Sequence, residues 1–294
     1  MSTTPRASIL VPTHDKPSTL PLAVASALAQ TVADVEVVVI GDGVTDAVRA
    51  AVAPLVADPR VRFLDLPKGP HHGEVHRHTA VLEARSEAIL YLCDDDLLLP
   101  EHVSDLLALL EDHDLVQCWN GFVTTDARVH LFPTDLSDPV EVAAHVAPTP
   151  FFNRVSITGT GHTRSAYLAL DDPWQTTPPG RLPDHHQWTK FMRQSGFRGA
   201  TSRRMTALQL PTSVEGRDAW TDDERLAELQ RWWDLVRSPE AQQAVDEMCH
   251  TAARRALVEH DQRVRHVTGS VWWRGTAWPR RVARSARGGV RRTR

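Results

Sequence analysis

Short apolar segments of strand length alternate along the first 120 residues with segments whose apolar residues have helical spacing. The clearest strand candidate is residues 35–40, which are rich in valine and almost entirely apolar. Strands that are apolar on both faces must be covered on both sides, and strands that alternate with helices usually run parallel. Further strands are predicted at residues 7–11, 61–66, 88–92 and 115–119, and helices at 20–30, 45–56, 74–84 and 101–112. The predicted fold class is therefore α/β, with a mostly parallel sheet flanked by helices.

The second half of the chain is less regular at first and then helical. Residues 124–211 are rich in proline, threonine and histidine, and we expect a loop-rich half that completes a cleft. The capping-box sequence from Thr221 to Glu224 predicts a helix through Val236, and Ser238-Pro239 predicts a second helix to about residue 260. The predicted organisation is a sheet domain at 1–215 (halves 1–120 and 121–215), C-terminal helices at 216–268 and a tail at 269–294.

Composition excludes several classes of protein. Hydrophobic residues make up 41% of the 294 positions, which is enough for a packed core. No run of about 18 apolar residues predicts a membrane-spanning helix, and residues 1–12 lack the layout of a secretory signal. Three scattered cysteines are too few for a disulfide framework or a zinc ribbon. These features predict a cytoplasmic globular protein.

Charge is distributed unevenly. The net charge is −4, but residues 272–294 contain eight arginines and no acid, so the first 271 residues carry 25 basic and 37 acidic side chains. The tail also contains Trp272, Trp273 and Trp278, and a mixture of indoles and arginines is typical of a peripheral anchor on an anionic membrane. A solvated basic tail is the alternative interpretation. No nucleic-acid partner is expected, because nothing in the first 271 residues favours one.

Three consecutive carboxylates, Asp94, Asp95 and Asp96, directly follow the predicted strand at 88–92. Adjacent carboxylates between apolar runs repel one another, and a hard divalent cation such as Mg²⁺ or Mn²⁺ would relieve that repulsion. The alternative is a solvated turn whose aspartates cap the next helix. Pro100 is better placed for helix entry than any of the three aspartates, which favours the metal site.

Several motifs occur in a fixed order along the chain: SILVPTHD at 8–15, ASALAQT at 25–31, VVVIGDGVTD at 37–46, Arg77-His78, LCDDDLLLP at 92–100 and PDHHQWTK at 183–190. Together they resemble the family 2 glycosyltransferases of GT-A fold. In that family a strand ends in Pro-Thr, a helix in Ala-Gln-Thr and a second strand in Asp-Asp-Gly, ahead of an aspartate-rich metal motif. The resemblance implies a Rossmann-like GT-A fold with a C-terminal helical extension, and a nucleotide-sugar donor.

The resemblance also implies roles for individual residues. Residues at the nucleotide are Pro12, Thr13, Asp15, Asp42, Arg77 and Asp94, and the metal ligands are Asp95 with Asp96 as the next candidate. Asp42 would accept a hydrogen bond from a base N–H, which favours a UDP- or dTDP-type donor. The metal would be Mn²⁺ or Mg²⁺.

On the acceptor side, Asp184 corresponds to the family's general base, which removes the proton of the acceptor hydroxyl during inverting transfer. His162, His185 and Trp188 are the candidate contacts to the acceptor. The predicted function is a metal-dependent, inverting glycosyltransferase acting on a hydroxyl acceptor, located in the cytoplasm or on the inner face of the membrane.

Three positions depart from the family pattern. Gly41 and Cys93 stand where the family usually has acids, and Pro183 replaces the glutamate before the general base. The alternative function is therefore a catalytically degenerate GT-A protein that binds a nucleotide or a partner. A nucleotidyltransferase is a more distant alternative, since residues near 15 lack a basic, glycine-rich loop for a triphosphate.

Other motifs have plainer explanations. His72 and His76 have the spacing of zinc ligands on a helix, but no pattern provides a third ligand, and a polar helix start is favoured. The glycine-rich segment at 158–162 lacks a lysine and is not a phosphate-binding loop. Trp232 and Trp233 end an apolar stripe, so we expect them to pack in the core.

Overall fold

A computed structural model describes residues 4–132, 134–148, 153–214 and 216–269. Its strands are β1 (Ala7–Thr13), β2 (Val35–Asp42), β3 (Val61–Leu66), β4 (Ala88–Tyr91), β5 (Leu97–Leu98), β6 (Leu115–Gln117), β7 (Asn120–Val123), β8 (Val129–Phe132), β9 (Thr160–Thr163), β10 (Gly199–Thr201) and β11 (Ala207–Leu208). Its α-helices are α1 (Leu20–Leu28), α2 (Asp46–Val52), α3 (Glu74–Glu83), α4 (His102–Leu110), α5 (Pro139–Val146), α6 (Arg164–Leu168), α7 (Pro183–Met192), α8 (Asp222–Val236) and α9 (Ala241–Gly269).

The central sheet contains seven strands within these described residues, in the order β10-β6-β9-β4-β1-β2-β3. Neighbouring strands run parallel except at β9, which is antiparallel to both β4 and β6. The prediction of a mostly parallel sheet flanked by helices is confirmed. All five strands predicted from the first 120 residues are present, each with bounds within two residues of the prediction.

Apolar layers cover both faces of the sheet. One layer packs α1, α2 and α4 against alternate residues of β1 and β2, and the other packs α3, α6 and α7 against the intervening residues. Every residue of β2 is buried, including Glu36. Glu36 accepts hydrogen bonds from Ser8 and Arg85, which compensates for the burial of its charge.

Residues 124–211 contain more regular structure than we expected. They include all of β8, α5, β9, α6, α7, β10 and β11. These elements cover less than half of the segment, so it is rich in loops as expected, but it also supplies strands and helices that the sequence did not predict. Strand β9 was missed because it reads Thr-Gly-His-Thr, which has none of the apolar pattern of a buried strand.

The C-terminal helices pack against a third apolar cluster that also contains residues of β5, β7 and β11. The predicted capping box between Thr221 and Glu224 is present at the start of α8. Trp232 is buried in this cluster and Trp233 packs against it, as predicted. Helix α9 begins at Ala241 and ends at Gly269, later at both ends than predicted.

The chain divides into a compact unit that ends at Cys249 and a second unit that begins at His250. None of the helices within the described ranges has the length and apolar character needed to cross a bilayer. The three tryptophans and all eight arginines of the predicted anchor lie outside the described residues, so the tail remains a prediction.

Candidate active site

A crevice of about 450 Å³ lies at the carboxyl ends of β1, β2 and β4. Side chains at the carboxyl ends of neighbouring parallel strands converge, which is why ligands bind there in sheets of this kind. The structure brings together in this crevice all six residues predicted to contact the nucleotide: Pro12, Thr13, Asp15, Asp42, Arg77 and Asp94. Lys16, Lys68, His71, His72 and Cys93 line it as well.

Asp42 lies at the end of β2, and protein donors already hold both of its carboxylate oxygens. Lys68 Nζ donates to Oδ2, and the Gly69 N–H donates to Oδ1 at 2.6 Å. Burial alone would raise the pKa of Asp42, but the hydrogen bonds from Lys68 and Gly69 outweigh it and hold the pKa below its ordinary value. The crevice therefore presents an ionised carboxylate beside an ammonium group.

Two glycines allow the loop at 67–73 to approach this pair closely. A Cβ atom at Gly73 would lie 2.4 Å from Asp42 Cγ, and one at Gly43 would lie 2.6 Å from Lys68 Cβ. Both glycines have φ near +60°, a region that favours glycine. The position of the Asp42 carboxylate is thus fixed by backbone on two sides.

Arg77, on α3, is buried and lines the crevice. Its guanidinium lies 5.0 Å from the ring centroid of Trp174, and its Nε and Nη1 atoms have no hydrogen-bond partner among the residues the structure describes. Burial lowers the pKa of Arg77 from its ordinary value. The side chain is therefore a buried cation with donors that protein groups leave unused.

The three consecutive aspartates differ in environment. Burial, reinforced by the charge of Asp95, raises the pKa of Asp94 to about 8 and that of Asp96 to about 7. Asp96 accepts hydrogen bonds from Thr158 Oγ1 at 2.6 Å and from the Leu210 N–H at 2.8 Å, one on each oxygen. Asp96 therefore joins the strand end to the second half of the domain.

Asp95 faces two cations. Its Oδ2 atom lies 3.2 Å from Lys16 Nζ and 3.0 Å from Arg225 Nη2, and Arg225 belongs to α8. A carboxylate oxygen that attracts two cations has the hard, anionic character that Mg²⁺ or Mn²⁺ requires. A metal held mainly by the substrate diphosphate needs only one or two protein carboxylates. Asp95 fits this requirement, provided that Lys16 or Arg225 gives way.

Other metal ligands are scarce. Across the ranges that the structure describes, no group of three or more histidine, cysteine, aspartate or glutamate side chains could hold an ion. His76 Nε2 contacts Pro67 O at 2.8 Å and lies 3.3 Å from Asp42 Oδ1, while His72 lines the crevice. His72 therefore forms part of the crevice wall, and His76 contacts the loop at 67–73.

Asp184 lies in the first turn of α7, where the positive charge of Arg77 acts on it. Asn153 Nδ2 donates to its Oδ2 at 2.9 Å, and the His185 N–H donates to its Oδ1 at 2.9 Å. Burial raises the pKa of Asp184 above its ordinary value, although these hydrogen bonds and the charge of Arg77 oppose the shift. Pro183 stands where the family has a glutamate, so no neighbouring carboxylate raises the pKa of Asp184. Burial raises it instead.

The three acceptor candidates lie away from solvent. His162 sits in the middle of the sheet with 0% exposure, and its Nε2 is 2.8 Å from Tyr91 Oη. Trp188 is also fully buried, and His185 contacts His145 O at 2.9 Å and stacks on the His145 ring. These positions correct our expectation: in this structure the three side chains pack in the protein and do not face an acceptor.

Four residues at or next to the crevice were not predicted. Lys16 and Lys68 follow predicted strand ends closely, so their positions carried a usable signal. Arg225 and Trp174 reach the site from distant parts of the chain. Only the tertiary structure shows that they belong to it.

The sheet and the crevice at the carboxyl ends of its strands have the GT-A architecture. Residues 8–148 match the family model described as "Glycosyl transferase family 2", so this part of the chain is a domain of that family. The resemblance inferred from the motifs is thereby confirmed.

Solved structures have a similar fold at low sequence identity. TarS residues 1–349 from S. aureus, in complex with UDP-GlcNAc, is 16% identical with a TM-score of 0.54, covering 85% of this chain and 72% of that chain. The mannosyltransferase PcManGT from Pyrobaculum calidifontis, in complex with GDP-Man and Mn²⁺, is 15% identical with a TM-score of 0.51, covering 93% of this chain and 83% of that chain.

Proposed function

We propose that the protein transfers a sugar from a nucleoside-diphosphate sugar to a hydroxyl acceptor, with inversion at the anomeric carbon and with a divalent metal, Mn²⁺ or Mg²⁺. The observation that carries this proposal is the convergence of all six predicted nucleotide residues, Arg77 among them, in one crevice whose wall includes Lys16, the partner of Asp95. The nucleotide-sugar complexes of TarS and PcManGT, and the Mn²⁺ in the latter, support it.

Asp42 and Pro12-Thr13 would hold the nucleoside. An ionised carboxylate only accepts hydrogen bonds, so Asp42 suits the imide N–H of uracil or thymine, and a UDP- or dTDP-type donor is favoured. Lys68, which donates to the same carboxylate, keeps it ionised and oriented.

Asp95 would hold the metal. A bound divalent ion supplies charge that stabilises the departing diphosphate. Asp96, the second candidate ligand, uses both oxygens to hold Thr158 and Leu210, so we assign it a role in positioning Asp95. Lys16 provides a further positive charge on the crevice wall.

Asp184 would act as the general base. Its carboxylate takes the proton of the acceptor hydroxyl while that oxygen bonds to the anomeric carbon and the bond from the sugar to the diphosphate breaks. A raised pKa makes the carboxylate a stronger base towards the acceptor hydroxyl. Asn153 orients the group by its hydrogen bond to Oδ2.

Isothermal titration with UDP, dTDP and GDP, each with and without Mn²⁺, tests the nucleotide half of the proposal. We expect micromolar binding of at least one diphosphate, strengthened by Mn²⁺. Negligible binding of all three in both conditions would contradict the proposal. Hydrolysis assays over a panel of nucleotide sugars would then identify the donor.

A degenerate, non-catalytic binding protein is the second candidate, and one observation favours it. A Cβ atom at Gly41 would lie 2.9 Å from the Phe63 ring, so an acid at position 41 would require that ring to move. The position of the Phe63 ring therefore leaves no room for a carboxylate side chain at position 41. Slow hydrolysis of a bound donor separates the two candidates, because a competent site transfers some sugar to water and a degenerate site does not.

We also propose that the protein works in the cytoplasm and that its tail binds an anionic membrane surface. The arginine and tryptophan content of residues 272–294 supports this proposal. Sedimentation with anionic vesicles should be weaker for a chain that ends at Gly269 than for the full chain. Equal recovery of both chains in the supernatant would contradict membrane binding.

A further inference from the structure

The environment of Arg77 is unusual for a buried guanidinium. Its side chain is 9% exposed, and the Nε and Nη1 donors find no acceptor within the described part of the chain. Leaving buried donors of a charged group unpaired is costly. A site that retains them on the wall of a crevice is suited to a ligand that brings its own acceptor oxygens.

Trp174 holds this guanidinium without using its donors. The ring centroid of Trp174 lies 5.0 Å from Arg77 Cζ, and an aromatic face attracts a cation without accepting a conventional hydrogen bond. Glu74 and Asp184 act on Arg77 through their charges, but no hydrogen bond joins either of them to it among the described residues. A carboxylate paired directly with Arg77 would instead accept hydrogen bonds from two of its N–H groups.

Trp174 itself is fixed from several sides. Its Nε1–H donates to Tyr91 Oη at 2.9 Å, and its backbone N–H donates to Tyr167 Oη at 3.1 Å. Trp188 packs edge-on against it with ring centroids 5.6 Å apart. The face that contacts Arg77 therefore has a defined orientation.

We propose that Trp174 is a positioning residue that holds Arg77 with its donors directed at the diphosphate of the sugar donor. The inference rests on the proposed function. Arg77 lines the crevice together with the nucleotide residues, and its charge also acts on Asp184, so it is close to both the proposed nucleotide site and the proposed base. The planar donor fork of arginine matches phosphate oxygens, whereas the base has Asp42 and Lys68 on its own side.

The test compares UDP, uridine and inorganic pyrophosphate by isothermal titration. Trp174→Leu should weaken binding of UDP and pyrophosphate about tenfold while leaving uridine unchanged, because a desolvated cation–π contact has about that worth. Trp174→Phe, which keeps an aromatic face but loses the bond to Tyr91, should recover most of the affinity. Phe191→Leu is the matched control, since it removes an aromatic ring of the same cluster that packs on His162 and Trp188 and not on Trp174.

Thermal unfolding of each variant identifies loss of folding. The inference is overturned if Trp174→Leu, still folded, binds UDP and pyrophosphate as the wild type does, or if Phe191→Leu loses as much affinity for them. Binding of pyrophosphate that depends on Trp174, without binding of any nucleoside diphosphate, would reject the proposed function and keep the anion site. If neither a nucleoside diphosphate nor pyrophosphate binds, both the proposed function and the role of Trp174 are rejected.

Discussion

At the scale of single residues, Asp184 combines burial with a hydrogen-bond donor, Asn153, that fixes its direction. Asp184→Asn removes the base but preserves the shape of the side chain. We expect transfer to fall by roughly 10²- to 10⁴-fold, the usual contribution of general base catalysis, while the dissociation constant of the nucleoside diphosphate stays within about twofold. Steady-state kinetics and titration of the same preparation measure both.

Asp172→Asn is a matched control, because Asp172 lies in the same half of the chain but is exposed and pairs with Lys190. Unchanged turnover in Asp184→Asn would remove Asp184 from the role of base. The acid side of the pH–rate profile offers a second check. Since burial raises the pKa of Asp184, activity should be lost as the pH falls through a value above the ordinary aspartate pKa.

Arg225 gives a prediction about metal affinity. Because its Nη2 atom lies 3.0 Å from Asp95 Oδ2, a metal at Asp95 must compete with it. Arg225→Met keeps the apolar stem and removes the charge, so Mn²⁺ should bind roughly fivefold more tightly in the absence of nucleotide, equivalent to about 1 kcal/mol for such a pair. Electron paramagnetic resonance of free Mn²⁺ measures the affinity.

Arg231→Met, on the exposed face of the same helix, should leave Mn²⁺ affinity unchanged. Weaker Mn²⁺ binding in Arg225→Met would mean that Arg225 supports the metal site and does not compete for it. The sequence could not have shown this contact. Asp95 and Arg225 are 130 positions apart, and nothing in the α8 motif distinguishes Arg225 from other arginines.

At the scale of elements, β1 to β4 and their helices were predictable because β1, β2 and β4 are almost entirely apolar, β3 has four apolar residues of six, and each ends at a polar segment. The nucleotide residues were predicted from the resemblance to the family, and all of them except Arg77 lie at or just after the carboxyl ends of β1, β2 and β4. Strand β9 could not be. Gly161 is required there because a Cβ atom would lie 2.3 Å from Leu90 Cδ2, and His162 is tolerated because Tyr91 pairs with it.

The acceptor candidates failed for a related reason. Histidine and tryptophan are typical of both polar sites and buried clusters, and their sequence positions do not distinguish the two. His162 and Trp188 belong to an aromatic cluster with Tyr91, Trp174 and Phe191. Only the packing of α7 against the sheet reveals this arrangement.

Helix α8 carries Arg225, and a buried ion pair fixes it. Arg217 and Glu228 are almost wholly buried and form two hydrogen bonds of 2.7 and 2.8 Å, and Arg217 Nη2 also donates to Val123 O on β7. Arg217→Met should lower the free energy of unfolding by about 3–5 kcal/mol, because it leaves the Glu228 charge buried without its partner. Urea denaturation followed by circular dichroism measures the loss.

The double variant Arg217→Met, Glu228→Gln is the control for this interpretation. Removing the second charge should recover part of the lost stability, since the cost comes from the isolated carboxylate and less from the missing pair. A double variant as unstable as the sum of two single variants would indicate that packing, and not charge, explains the effect.

At the scale of the whole molecule, the aspartate cluster connects the two halves of the domain. Asp96 bonds to Thr158 and Leu210, and Asp95 contacts Lys16 from the first half and Arg225 from α8. These contacts give the carboxylates a structural role in addition to their proposed role in metal binding. Burial of their charges also costs stability when they are ionised. Their protonation should be visible in the stability of the entire compact unit.

The metal-free protein should lose stability as the pH rises from about 6.5 to about 8, above the range in which the unfolded chain protonates the buried histidines His102, His145 and His162. Asp94 and Asp96 have folded-state pKa values of about 8 and about 7, raised above the ordinary 3.8, so in this window the folded chain holds protons that the unfolded chain has released. Stability then falls with pH by up to about 1.4 kcal/mol per unit for each proton, and the contribution is lost above the folded pKa.

Asp94→Asn should flatten the slope, whereas Asp46→Asn, at a fully exposed side chain, should retain it. Mn²⁺ should raise the melting temperature at pH 8 more than at pH 5, because binding requires ionised carboxylates. Melting temperatures that rise steadily from pH 6.5 to 8 without metal would contradict the assignment of raised pKa values to this cluster.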